Sequence, residues 1–275
     1  MRFVRAAVII IFVLALGIYG VSEWMQLRNR DTTIPEISSD RDVLKIPCQY
    51  TQEQLMEGMS ASDGKDGDLT SQIIAGSFSR FIEKGICNLT YVVFDSANQS
   101  ATLNRKIQFK DYHSPRFSLT EPLIFTENEG SYIQLLSRIR VSDMLDGDLT
   151  DWITQIGTDV KYQRVGDYTT TLSVSNSFGD TITIDLPIHV VNLETQRLDI
   201  QLSDNIVYLK KGKSFDPNQY IKNLFDAQGK MLDTDMVSAS SDVDTQTPGC
   251  YEVHYKAEDK KGNQGQTWLT VVVEE

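Results

Sequence analysis

The chain has 275 residues, with 26 Lys+Arg against 38 Asp+Glu and a formal net charge of −12. Hydrophobic residues make up 40% and charged residues 23%, a globular balance that argues against disorder. The acidic excess argues against a nucleic-acid partner, because neutralising phosphates needs a basic face.

Residues Ala6 to Val21 carry no charged side chain. As a helix this run covers about 24 Å, short of a ~30 Å hydrocarbon core. Phe3, Val4 and Trp24 lengthen it, and Arg2 and Arg5 can snorkel towards the headgroups. The reading is one N-terminal transmembrane helix, in which residues 1–24 form a cytoplasmic tail and anchor and residues 3–24 contact the lipid bilayer. Arg2 and Arg5 put the N-terminus inside and the C-terminus outside. The alternative is a signal peptide cleaved within residues 1–22, with Gly20-Val21-Ser22 as the small-x-small site, which makes the protein secreted. Either way the rest of the chain is exported. A buried core helix fits poorly, because apolar side chains all round leave no polar stripe. Residues 25–42 are polar without an apolar period and read as a linker.

Beyond residue 42 the chain repeats. The string Asp66-Gly67-Asp68-Leu69-Thr70 returns as Asp146-Gly147-Asp148-Leu149-Thr150, a separation of 80. Gly85, Gly166 and Gly249 each open a run of alternating residues, and each run ends in a short turn: Asp95 to Asn98, Asn176 to Gly179, and Asp259 to Asn263. A second alternating run follows every time. Two such runs about an Asx/Gly turn make a hairpin. Three hairpins at this spacing mean three tandem all-β units, with boundaries at 43–112, 113–194 and 195–275. In the third hairpin Tyr251, Val253 and Tyr255 alternate with Glu252, His254 and Lys256, so one face is buried and the other partly wet.

These motifs resemble those of bacterial immunoglobulin-like surface domains, in the group similar to the Ig-like domain of a pesticidal crystal protein. The likeness rests on the two DGDLT loops and on Pro248-Gly249-Cys250-Tyr251 with Asp259-Lys260-Lys261-Gly262-Asn263 in the third unit. The third unit has no DGDLT loop. The fold class is therefore all-β: three tandem immunoglobulin-like β-sandwiches preceded by one N-terminal transmembrane helix. The resemblance implies a cell-surface location and leaves function open, since one fold hosts many functions.

Asp63, Asp66 and Asp68, and again Asp143, Asp146 and Asp148, cluster closely enough to offer oxygens to Ca²⁺. Asp and Gly are equally the residues that turns require, and the turn role needs no cofactor. Cys48 and Cys87 either form a disulfide or stay as two buried thiols. The bond would close a loop worth ~3–4 kcal/mol in the chain-entropy model. Cys250 has no partner in its own unit and reads as a small buried hydrophobe or an intermolecular link. No CxxC, GxSxG, HExxH or Walker string is present. His189 and His254 read as residues on the solvent face of strands, and no catalytic residues are assigned. The expected function is a non-catalytic, membrane-anchored binding or adhesion protein of the bacterial envelope, with a protein or glycan partner. Trp152 and Trp268 are the candidates for stacking on sugars. A glycan- or cell-wall-binding module and a passive stalk or accessory subunit are the alternatives.

Overall fold

The computed structural model describes residues 2–29 and 31–275, with side chains for 8–25 and 31–275. The chain divides into two compact units, Met1–Lys110 and Asp111–Glu275.

The first unit opens with a 28-residue helix, Arg2–Asn29, about 42 Å long at the α-helical rise. Every described side chain on it is exposed, from Val8 to Met25, and all faces are apolar. The segment Val8–Met25 is long and apolar enough to cross a membrane, a property that anchors and signal sequences share. Arg2, Phe3, Val4 and Arg5, the expected basic and apolar flank, lie outside the described side chains.

Each of the three β-rich segments builds the same pair of sheets. In the first, Glu36–Ser39, Met59–Asp63 and Gly67–Asp68 form a three-stranded sheet, and Val43–Ile46, Ser100–Phe109, Ile86–Phe94 and Ile74–Phe78 form a four-stranded one. The second pairs Arg116–Leu119, Ile139–Asp143 and Gly147–Asp148 against Ile124–Thr126, Thr181–Val191, Gly166–Ser175 and Thr154–Thr158. The third pairs Asp199–Leu202, Ile221–Phe225 and Met231–Leu232 against Ile206–Lys210, Gln264–Glu274, Gly249–Glu258 and Val237–Ser241. Seven strands in two sheets, three times over, are three tandem Ig-like sandwiches.

Period-two patterning explains the central strands. In Ile86–Phe94, Cys87, Leu89, Tyr91 and Val93 are buried and alternate with more exposed residues. The first strand of every sandwich is broken, so that its first half joins one sheet and its second half the other. The breaks are polar or contain proline: Asp40-Arg41-Asp42, Thr120 to Leu123 around Pro122, and Ser203-Asp204-Asn205. Each second half then runs parallel to the last strand of its sandwich. The stretch 25–42, expected to be a linker, is therefore partly structured. The helix reaches Asn29, and Glu36–Ser39 is a strand paired with Met59–Asp63. A four-residue edge strand is too short to show an apolar period.

In the second unit the two sandwiches share a contact zone. Arg116 pairs with Glu274 at 2.6 Å and lies over the Tyr208 ring. The Phe117 amide donates to the Tyr208 hydroxyl at 2.9 Å. Cys250 and Val272, from the expected wet face of the third hairpin, pack against the core of the second sandwich. His189 is 4% exposed. Its expected place on a solvent face is overturned because the next sandwich covers that face.

Candidate functional site

The two DGDLT loops fold alike because the same side chains fill the same hydrogen-bond positions. Gly67 and Gly147 take φ of 77°, which other residues resist. Asp63 Oδ1 accepts from the backbone N–H groups of Lys65 (2.7 Å) and Asp66 (3.0 Å), and Asp143 Oδ1 from those of Leu145 (2.8 Å) and Asp146 (2.9 Å). Asp68 and Asp148 each accept from the amide two residues on, Thr70 and Thr150, at 2.9 Å. Leu69 and Leu149 are buried and plug the core. Asp66 holds Ser96 by its amide and hydroxyl, and Asp146 holds Ser177 the same way. Hydrogen bonds to a carboxylate favour its anionic form, which shows at three of these residues. The Asp66 and Lys65 amides keep the Asp63 carboxyl below its usual range, and the Thr70 and Thr150 hydroxyl and amide groups do the same for Asp68 and Asp148.

Ser96 and Ser177 each follow the first residue of a hairpin turn, and there the sandwiches diverge. In the second, Asn176 Oδ1 accepts from the Asp180 amide at 2.9 Å. Its Nδ2 donates to Asp143 Oδ2 at 3.2 Å and to the Tyr112 hydroxyl at 2.9 Å. Tyr112 donates in turn to Asp180 at 2.6 Å. Burial and the neighbouring Asp180 push the Tyr112 phenol well above its ordinary pKa, so it stays a donor. In the first sandwich the equivalent residue is Asp95. Its Oδ1 accepts from the Ala97 and Gln99 amides at 2.8 and 2.7 Å, but a carboxylate oxygen stands where Asn176 has an amide nitrogen. Asp63 and Asp95 are 7% and 6% exposed. Neither Asp63 Oδ2 nor Asp95 Oδ2 meets a donor, and buried Asp31 Oδ2 meets none either. Carboxylate oxygens of Asp31, Asp63 and Asp66 lie within 4.8 Å of one another. The third sandwich solves the same turn locally, with Asn263 Nδ2 donating to Asp259 Oδ2 at 2.7 Å.

Of the six aspartates singled out from the sequence, the structure thus brings Asp63 and Asp66 together. It adds Asp31, which lies in the supposed linker; Asp95, which reads in sequence only as a turn residue, sits beside Ser96, the serine that Asp66 holds. Asp68 instead braces Thr70. Asp143, Asp146 and Asp148 form no such group among the described residues. The available signal was the turn position itself, Asp95 against Asn176.

The other candidates are more ordinary. Cys48 and Cys87 are buried and Cys250 is half-buried, and none of the three is disulfide-bonded in this structure. Burial pushes the Cys87 thiol up to about 11. Burial, reinforced by Glu252, Asp185 and Asp242, pushes Cys250 up to about 12. Thiols held in that range are poor nucleophiles at neutral pH. Trp268 is unavailable for sugar stacking because His189 and His254 both lie parallel to its indole. Trp152, at the end of the 3-10 turn Thr150–Trp152, is 71% exposed.

Residues 200–273 match the family model of the bacterial surface protein Ig-like domain. The pesticidal crystal protein Cry22Aa of Bacillus thuringiensis is 26% identical over 222 residues, 78% of this chain and 29% of that protein. An uncharacterized 81.3 kDa protein of Acholeplasma phage L2 is 29% identical over 134 residues, 48% of this chain and 18% of that protein. The chain therefore spans less than a third of the length of either relative. Among solved structures, CBM51-2 in complex with GlcNAc and INT domains from Clostridium perfringens ZmpB aligns at 17% identity over 55% of this chain and 26% of that one, with a TM-score of 0.23. Drosophila N-cadherin EC1-3 aligns at 10% identity over 90% of both chains, with a TM-score of 0.29. At those scores neither structural likeness carries an argument about function.

Proposed function

We propose that this chain, whose third sandwich is an Ig-like domain of the bacterial surface type, is a non-catalytic binding or adhesion protein held at a cell envelope by its N-terminal helix. The observation that carries the reading is the family match over residues 200–273. The apolar segment Val8–Met25 of the helix Arg2–Asn29 supports the tether, with the N-terminus inside and the sandwiches outside. The sandwich surfaces offer side chains for recognition, and the acidic charge repels anionic lipid headgroups, which keeps the sandwiches free to meet a partner. The full chain should remain in alkaline-washed membranes, and protease added to intact cells should remove all three sandwiches. Recovery of a shortened chain in the medium would replace the tether with a cleaved signal. Full protease resistance in intact cells would sink the surface reading altogether.

A glycan partner is the second reading, and exposed Trp152 favours it. Aromatic faces stack on sugar rings through apolar contact. It predicts that the full chain is retained on purified envelope polysaccharide and that Trp152→Ala releases it. Equal retention of the variant would leave a protein partner as the better account.

A further inference from the structure

We propose that the first sandwich binds one hard divalent cation of the Ca²⁺ type through Asp31, Asp63, Asp66 and Asp95, and that the second sandwich does not.

The loop of the first sandwich differs from its own repeat in the second at the position of Asp95, where the repeat has Asn176. Asn176 Nδ2 touches Asp143 Oδ2 at 3.2 Å and so completes a buried polar network. Asp95 occupies the position of Asn176: each backbone amide bonds the residue four on, Asp95 to Gln99 and Asn176 to Asp180, at 3.0 Å. Each side-chain Oδ1 accepts the returning amide. By the match of the two turns, Asp95 presents a carboxylate Oδ2 where Asn176 presents the Nδ2 that donates to Asp143 Oδ2. Asp95 Oδ2 and Asp63 Oδ2 are buried without a donor, and so is Asp31 Oδ2. A buried carboxylate oxygen lacking a donor is costly, and Asp31, Asp63 and Asp66, with carboxylate oxygens within 4.8 Å of one another, add like-charge repulsion. A cation at the centre reverses the sign of all these interactions at once.

The donor set selects the ion. All available groups are carboxylate oxygens, with no imidazole or thiolate, which suits Ca²⁺ and not Zn²⁺. The bonds that Asp63 and Asp66 make to backbone and serine groups leave lone pairs for a metal, since each carboxylate offers about four acceptor sites. Those bonds also fix the carboxylates in place before an ion arrives. Asp31 lies just beyond the helix Arg2–Asn29. An ion there fastens the exit of the helix to the sandwich.

The test is calorimetric titration of Ca²⁺ into the full chain in detergent after removal of divalent ions with EDTA. The expected result is one Ca²⁺ per chain and a higher unfolding temperature in millimolar Ca²⁺. Asp95→Asn installs the amide that the second sandwich uses. It should abolish the binding heat while leaving the EDTA unfolding temperature unchanged or higher, which shows that the variant folds. Asp31→Asn, outside the hairpin turn, should lose binding as well, and Asp143→Asn should keep it. The proposal is overturned if the wild type shows neither heat nor a thermal shift up to millimolar Ca²⁺, as a water in the site would produce. It is also overturned if Asp95→Asn binds like wild type.

Discussion

His189 lies flat on Trp268, with ring centroids 3.8 Å apart and planes 8° apart. His254 stacks on the same indole at 4.2 Å and 12°. Two rings parallel to one indole at such distances must occupy opposite faces. His189 comes from the second sandwich, and Trp268 and His254 from the third, so the stack closes the contact between them. Its ends differ in charge. Burial pulls His189 down, but Glu252 and Asp167, at 2.8 Å from its two nitrogens, outweigh that and raise its pKa above the ordinary value. His254 is lowered, chiefly by burial, with Lys256 and His189 adding to it despite the bond to Gln266.

A pH dependence follows, with opposite signs for the two rings. A folded pKa raised above the unfolded one means that His189 contributes its full stability below its unfolded value of ~6.5 and loses it as pH rises through the higher folded value. For His254 protonation opposes folding, so its penalty appears as pH falls below ~6.5. The unfolding temperature of the second unit should therefore decline on going above neutral pH, and His189→Gln should flatten that decline. A decline unaltered in His189→Gln would show that other groups set it.

Arg105 is 2% exposed and carries its charge into the first sandwich. It donates to the carbonyls of Leu55 (2.6 Å) and Glu57 (2.7 Å), at the end of the short helix Gln52–Met56, and to the Tyr91 hydroxyl (2.9 Å). Those carbonyls have no helical partner, and a cation suits that end of a helix. Arg105→Ala should cost about 3 kcal/mol or more in denaturant unfolding of the full chain, through lost packing and stranded acceptors. Arg105→Met should recover only part, because it restores volume without donors. Full recovery by Met would refute the hydrogen-bond account.

Gly265 has no room for a side chain. A Cβ there would lie 2.2 Å from the Leu198 carbonyl oxygen, which is backbone and cannot swing aside. Gly265→Ala should destabilise the third sandwich by about 2–3 kcal/mol. Gly157→Ala, whose Cβ would meet the Thr171 hydroxyl at 3.4 Å, should stay within about 0.5–1 kcal/mol in thermal unfolding. Equal losses in the two variants would contradict the steric argument.

Cys48 and Cys87 should titrate as thiols. Unfolded in guanidinium without reductant, the chain should react with a thiol reagent at all three cysteines. Folded at neutral pH, Cys87 should stay unlabelled, because it is buried and its pKa is pushed up to about 11. A denatured yield of one thiol, with the Cys48 and Cys87 peptides linked, would show a disulfide.

The three hairpins were legible in the sequence because strand alternation and turn residues are local signals. The loops Asp66–Thr70 and Asp146–Thr150 identified themselves by repetition. The edge strand Glu36–Ser39 was not legible, since its order comes from pairing with Met59–Asp63 and not from its own composition. His189 illustrates the same limit. Alternation placed it on the outward face of its strand, and only the neighbouring sandwich made that face an interior.

The sequence by itself determined the class of fold, the number of sandwiches and the apolar segment at the N-terminus, because these follow from periodicity, turn chemistry and hydropathy within short windows. Tertiary structure decided which aspartates converge and which are satisfied. Asp31, Asp63 and Asp95 are far apart along the chain, and whether each carboxylate oxygen meets a donor depends on what lies opposite it. Asp95 and Asn176 are both ordinary turn residues locally. Only the packing of their turns against Asp63 and Asp143 makes one an orphaned acceptor and the other a donor.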